Sequence, residues 1–170
     1  MSSSEHSDAL IFYGITGDLA YKKIFPALQA MAKRGTLNVP VIGVARSPWT
    51  LDQLRERMHD SLEKHGGVDP QAFEKLSGLL HYISIDYADP GACRAIHKEL
   101  HGARHPAIYL AVPPQMFAPV VDQLAKSGCA QGARIIIEKP FGRDLASARK
   151  LNEILHAVFD ESSIFRISCA

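Results

Sequence analysis

The chain holds three cysteines and one tryptophan in 170 residues, and neither sign of charge forms a sustained run. Each scarcity excludes something. Cys93, Cys129 and Cys169 are odd in number and widely spaced; that fits neither a disulfide framework nor a zinc site and points to a reducing cytosol. Nineteen basic and 18 acidic residues leave a net charge of +1, which gives no footprint for nucleic acid or a membrane surface. Small molecules or other protein surfaces are therefore the expected partners. No stretch approaches the roughly 20 apolar residues of a membrane helix. The opening MSSSEHSD lacks the basic-then-apolar order of a secretory signal and reads as a disordered tail over residues 1–8. Of the eight histidines, His97 and His101 would share a helix face, but no third ligand is near in sequence, so no metal site is expected.

With 46% apolar and 22% charged residues, the chain suits one soluble globular domain over residues 9–170. Apolar strand-like runs recur at Leu10–Tyr13, Val39–Val44, His81–Ile85, Ala107–Val112 and Arg134–Glu138. Segments of helical periodicity separate them, at Asp18–Lys33, Leu51–Lys64, Gly91–Leu100, Gln115–Lys126 and Asp144–Phe159. This βαβ rhythm, with few polar positions in the strands, predicts an α/β fold: a doubly wound, mainly parallel sheet with helices on both faces. Pro26 lacks an N–H and its ring collides with the carbonyl of Lys22, so a kink or two shorter helices are expected there. His65–Asp69 reads as a loop.

Residues 9–28, ALIFYGITGDLAYKKIFPAL, set a buried strand before a glycine turn and a helix whose free N–H groups can face a pyrophosphate. The pattern Gly14-x-x-Gly17-x-x-Ala20 is a variant of the dinucleotide fingerprint, and it gains weight from the strand before it and the second strand after it. That second strand runs into Ala45-Arg46-Ser47, with no carboxylate between Val39 and Thr50. A guanidinium and a hydroxyl at this place favour a 2′-phosphate over a bare ribose, hence NADP. The fourth strand passes into Val112-Pro113-Pro114, a rigid turn on which a flat ligand can lie. The fifth passes into Glu138-Lys139-Pro140-Phe141-Gly142, a charged pair at the carboxyl edge of the sheet.

Together GITGDLAYKKIFPAL, VIGVARSPWT, YLAVPPQMF, IIIEKPFGRDLASARKLN and IFRI resemble the N-terminal coenzyme domain of the glucose-6-phosphate dehydrogenase family, from about Ala9 to Ile167. The resemblance implies a Rossmann-like fold and the pentose phosphate pathway reaction: glucose 6-phosphate oxidised at C1, with hydride passed to NADP+ and 6-phosphogluconolactone formed. It implies a cytoplasmic location and, for the full-length family, homo-oligomers. It also implies a pyrophosphate turn of Gly14, Thr16, Gly17, Asp18 and Leu19, with Arg46 and Ser47 at the 2′-phosphate. Lys139 would reach both coenzyme and substrate, and the Lys139–Pro140 bond is a candidate cis peptide. Tyr21 stands where the family usually has a basic residue, and Ile85 where it usually has glycine.

In the family, IFRI continues into Asp-His-Tyr-Leu-Gly-Lys and a large α+β domain that carries the catalytic base. Here it reads Ser168-Cys169-Ala170. The expectation is thus a coenzyme domain without the catalytic domain and without a base of its own. It would not turn over glucose 6-phosphate alone, and its sixth strand Ile164–Ile167 would be left exposed. Two other readings stand beside it: a non-catalytic NADP-binding module or partner subunit, and a different sugar dehydrogenase with its own Rossmann domain and Glu-Lys-Pro element.

Overall fold

The computed structural model describes residues 7–86, 89, 91–100, 102–138 and 144–167. Six strands form one sheet: β1 (Ala9–Tyr13), β2 (Val41–Ala45), β3 (Leu80–Ser84), β4 (Pro106–Leu110), β5 (Arg134–Glu138) and β6 (Ile164–Ile167). The order is β3-β2-β1-β4-β5-β6 and every neighbouring pair is parallel. The chain starts in the middle, winds outward through β2 and β3, then crosses back to β4 beside β1. That reversal opens a crevice at the carboxyl ends of β1 and β4, where sheets of this kind receive ligands.

Alternation along β1 divides the core. Ile11 and Tyr13 point to one face, where they pack with Ile96, Val121 and Leu155; Phe12 points to the other, with Phe25, Leu54 and Leu76. The first face is covered by α4 (Ala92–Glu99), α5 (Phe117–Ser127) and α6 (Leu145–His156), the second by α1 (Phe25–Lys33), α2 (Leu51–Lys64) and α3 (Pro70–Leu79). Burying each large apolar side chain contributes about 1.5–3 kcal/mol, so both faces are needed to offset the entropy of ordering the chain.

The rhythm read from the sequence is present, with shifted edges and one addition. Between α2 and β3 lies α3, which periodicity alone did not separate; its start is marked by Asp69, whose carboxylate accepts from the Ala72 N–H at 3.0 Å, and by Pro70 in the first turn. α2 begins with a reciprocal capping box between Thr50 and Gln53, and Asp144 caps α6 through the Ser147 N–H at 2.8 Å. The expected helix Gln115–Lys126 is a short 3₁₀ turn, Pro114–Met116, followed by α5, which Gly128 ends in a left-handed conformation.

Pro26 splits the first helix as expected. Residues Ala20–Ile24 form a π-helical turn in which the Phe25 N–H reaches back to the Ala20 carbonyl, and α1 follows. In that register the N–H that Pro26 lacks would have gone to the Tyr21 carbonyl. Ser61 of α2, fully buried, donates its hydroxyl to that carbonyl instead. The freed acceptor is therefore satisfied from a neighbouring helix.

At the outer edge, Ile164 of β6 is buried while Phe165 and Ile167 are 43% and 38% exposed. Arg166 ties the strand back, donating to Glu161 at 2.7 Å and to Asn152 of α6 at 3.0 Å. His156 of α6 also meets Glu161, and the hydrogen bonds of Arg166 first and His156 next hold the Glu161 carboxyl down to about 2.

Candidate functional site

The loop after β1 is fixed from both sides. The Gly14 N–H donates to the Val44 carbonyl of β2 at 2.7 Å, and the Ala111 N–H donates to the Tyr13 carbonyl at 2.9 Å. Gly14 has φ +85°, and a Cβ there would stand 2.1 Å from the Ala111 carbonyl oxygen. Only glycine fits, for reasons internal to the protein.

Gly17 differs. It lies outside the left-handed region, and a Cβ there would meet only the Gly14 carbonyl oxygen, at 3.3 Å. Its other side faces the crevice. A glycine not demanded by its protein neighbours, placed where a helix begins, is what close approach of a pyrophosphate to backbone requires. That geometry fits a dinucleotide.

The crevice has a volume of about 420 Å³. Gly17, Asp18 and Leu19 form one wall; Leu110–Pro114 and Phe117 form the other; Glu138 closes the β5 side. Asp18 is exposed and begins the helical stretch, and no side chain caps the π-helical turn that follows. Pro113 and Pro114 are exposed on the rim. Glu138 accepts a hydrogen bond from the Tyr109 hydroxyl of β4, and the Tyr109 ring packs on Phe12 with centroids 5.4 Å apart. The carboxylate is held by its neighbouring strand at the place expected for the reactive end of a coenzyme. Lys139 and Pro140 lie outside the described residues, and with them the expected lysine contact and cis bond.

A second loop leaves β2 beside the first. Arg46 is exposed at the end of the strand, with Ser47 half-buried next to it. The Ser47 and Thr16 hydroxyls are 2.9 Å apart, so the two loops are joined by their side chains. The Ser47 carbonyl accepts from the Tyr82 hydroxyl of β3, whose ionisation burial pushes up. Thr16, Gly17, Arg46 and Ser47 thus gather on the β1–β2 side, Asp18 and Leu19 continue the wall that Gly17 begins, and Glu138 stands on the β5 side.

Sequence reasoning did not single out Arg57. It lies three residues after buried Leu54 and four before buried Ser61, so a charge falls on the inward face of α2; that spacing was the available signal. Nor did it anticipate the cluster around Tyr21. The Tyr21 hydroxyl donates to Asp60, and Lys64 pairs with the same carboxylate at 3.3 Å. The Tyr21 hydrogen bond foremost, then Lys64 and Arg57 against some desolvation, hold the Asp60 carboxyl below its ordinary value. No group of three or more metal-ligating side chains occurs among the described residues. Within the same residues, no helix is long and apolar enough to cross a membrane.

Comparison with known proteins agrees with this geometry. Residues 11–168 match the family described as glucose-6-phosphate dehydrogenase, NAD binding domain. Glucose-6-phosphate 1-dehydrogenase 1 of Mycobacterium bovis is 38% identical over 161 residues, which cover 95% of this chain and 34% of the relative. A cytoplasmic glucose-6-phosphate 1-dehydrogenase of Arabidopsis thaliana is 34% identical, over 94% of this chain and 35% of its own. The crystal structure of glucose-6-phosphate 1-dehydrogenase from Mycobacterium avium superposes with a TM-score of 0.90 at 44% identity, covering 95% of this chain and 36% of that one. A glucose-6-phosphate dehydrogenase solved with its substrate gives 0.81 at 32% identity, over 95% and 36%. The chain spans about a third of the length of these relatives, and the part it spans is their nucleotide-binding portion. The chain belongs to the glucose-6-phosphate dehydrogenase family, as its N-terminal coenzyme-binding domain.

Proposed function

We propose that this chain binds NADP+ in the crevice between β1 and β4 and serves as the coenzyme half of glucose 6-phosphate oxidation. The observation that carries the reading is the pairing of Thr16 with Ser47 next to Arg46, on a β2 loop free of carboxylates. A 2′-phosphate there meets a guanidinium and two hydroxyls that can each turn a proton toward it. Gly17 and the N–H groups that follow receive the pyrophosphate. Asp18, Leu19 and the Pro113-Pro114 rim bound the reactive end, where Lys139 is proposed to reach coenzyme and sugar.

When bound, NADP+ supplies the hydride acceptor. The residues of this chain bind it, orient one of its faces and shield that face from water. Oxidation of an alcohol also needs a placed base for the hydroxyl proton, a contribution of about 10²–10⁴ in rate. Glu138 is engaged by Tyr109, and the chain aligns with the nucleotide-binding portion of its relatives. These features support a chain that binds coenzyme and does not by itself oxidise glucose 6-phosphate. A cytoplasmic setting accords with the name of the Arabidopsis relative.

The test is a titration of the chain with NADP+ and NAD+, following Trp49 emission and the thermal midpoint. NADP+ is expected to bind more tightly and to raise the midpoint as its concentration exceeds Kd. Unchanged emission and midpoint at saturating NADP+ would sink the reading. NADPH formation from glucose 6-phosphate at a rate like that of a full-length relative would sink its non-catalytic part.

A further inference from the structure

Two arginines of α2 have different fates. Arg55 is spent on structure: its guanidinium pairs with Asp52 at 3.3 Å and donates to the Ser77 carbonyl at 3.0 Å. Arg57, two residues on, is half-buried, and its hydrogen bond to the Gly17 carbonyl is a long one, 3.5 Å from Nη2. Its Nε, like that of Arg55, is buried without a partner among the described residues. Asp60, about one turn on along the same helix, is already engaged by Tyr21 and Lys64.

Two aromatic faces hold the guanidinium in place. Its carbon lies 4.6 Å from the centroid of the Tyr21 ring and 5.7 Å from that of Trp49. Tyr21 follows the turn after β1, and Trp49 lies two residues beyond Ser47 on the loop after β2. Arg57 therefore touches both loops whose tips, Thr16 and Ser47, are hydrogen-bonded to each other. It approaches from the β2 side, opposite the wall formed by β4. Aromatic faces orient a guanidinium without neutralising it, so the positive charge stays available to an anion.

We propose that Arg57 is a second cation, beside Arg46, that reads the 2′-phosphate of the coenzyme, and so is a specificity-determining residue for NADP+ over NAD+. The inference rests on the coenzyme reading above. Held by Tyr21 and Trp49, the guanidinium adds its field where the two loops meet, and its bond to the Gly17 carbonyl fixes the turn at the same time. A charge in this place acts most strongly on ligands bearing the extra phosphate.

The experiment compares 2′,5′-ADP with 5′-AMP by isothermal titration on the chain and on Arg57→Gln and Arg57→Lys, with thermal melts alongside. Loss of one charge-assisted contact predicts that Arg57→Gln weakens 2′,5′-ADP about tenfold while 5′-AMP changes less than about twofold. Arg57→Lys should keep most of the preference, and the wild-type preference should shrink as salt is raised. Equal losses for both nucleotides would mean that Arg57 only packs, and no loss for either would mean that it does nothing there; each overturns the proposal. Should Arg57→Gln not fold, Arg57→Lys still decides, because equal loss of both nucleotides in that variant overturns the proposal just as well. If the wild-type chain binds neither NADP+ nor 2′,5′-ADP, the coenzyme reading fails and this inference with it; if it binds both and the variants show no phosphate-specific loss, only the inference fails.

Discussion

The hydroxyl oxygens of Thr16 and Ser47 stand 2.9 Å apart, joining the loop after β1 to the loop after β2. Each can donate to a phosphate, and neither brings a negative charge with it. Ser47→Ala is expected to lower NADP+ affinity by about three- to tenfold, the worth of one hydrogen bond from an uncharged donor, and NAD+ affinity by less. Arg46→Ala removes a charged contact, so its loss should be the larger, about tenfold or more. Parallel titrations with both coenzymes check the order.

The two glycines of the turn should separate cleanly. At Gly14, a Cβ would meet the Ala111 carbonyl at 2.1 Å in a left-handed backbone, so Gly14→Ala should destabilise the chain by about 3 kcal/mol or more. Gly17→Ala should shift stability by no more than about 1 kcal/mol and weaken NADP+ instead, because its methyl group occupies the approach to the backbone. Urea unfolding with and without NADP+ distinguishes them, and equal destabilisation by both would contradict the assignment.

Ser61 and Pro26 should be coupled. Ser61→Ala leaves the part-buried Tyr21 carbonyl without that donor, a cost of about 1–3 kcal/mol. In a Pro26→Ala background the new N–H can reach a carbonyl of the preceding turn, so the Ser61 substitution should cost less there. A double-mutant cycle on unfolding free energies measures the coupling, and strict additivity would argue against it.

Acid should loosen the chain through groups whose ionised forms the fold favours. Glu161 is depressed from 4.5 to about 2, by Arg166 first and His156 next. Asp69 and Asp144 are lowered from 3.8, chiefly by the Ala72 and Ser147 N–H groups. Folded values below unfolded ones mean that their stabilisation is complete above the unfolded values and is lost as pH falls through the folded ones. Urea midpoints should therefore decline from about pH 5 downward. Glu161→Gln should lower the midpoint at neutral pH and flatten the part of the decline nearest pH 2.

Strands β1 to β5 could be anticipated because each is a short, largely apolar run, a pattern that survives in sequence. α3 could not be separated by that means, since it follows α2 with no strand between them; Asp69-Pro70 was its local sign. Strand ends shifted where context overrides propensity. β4 starts at Pro106, tolerated as a first strand residue opposite Ala9, and β2 extends to buried Ala45. Within the site, Gly14, Gly17, Arg46 and Ser47 carry their chemistry in local motifs. Arg57 and Tyr109 act through partners 40 and 29 residues away, and no local pattern announces such pairings.

The Gly14 N–H is bound to β2, and the Tyr13 carbonyl beside it to the chain leaving β4, so the floor of the crevice belongs to the sheet rather than to any loop. Coenzyme preference then resides outside that floor, in the rim and the side chains that abut it. Residues 46–49 should accept an acidic, NAD-directed sequence without refolding the domain, because the hydrogen bonds that shape the floor come from Val44 and Tyr13 and not from the residues exchanged.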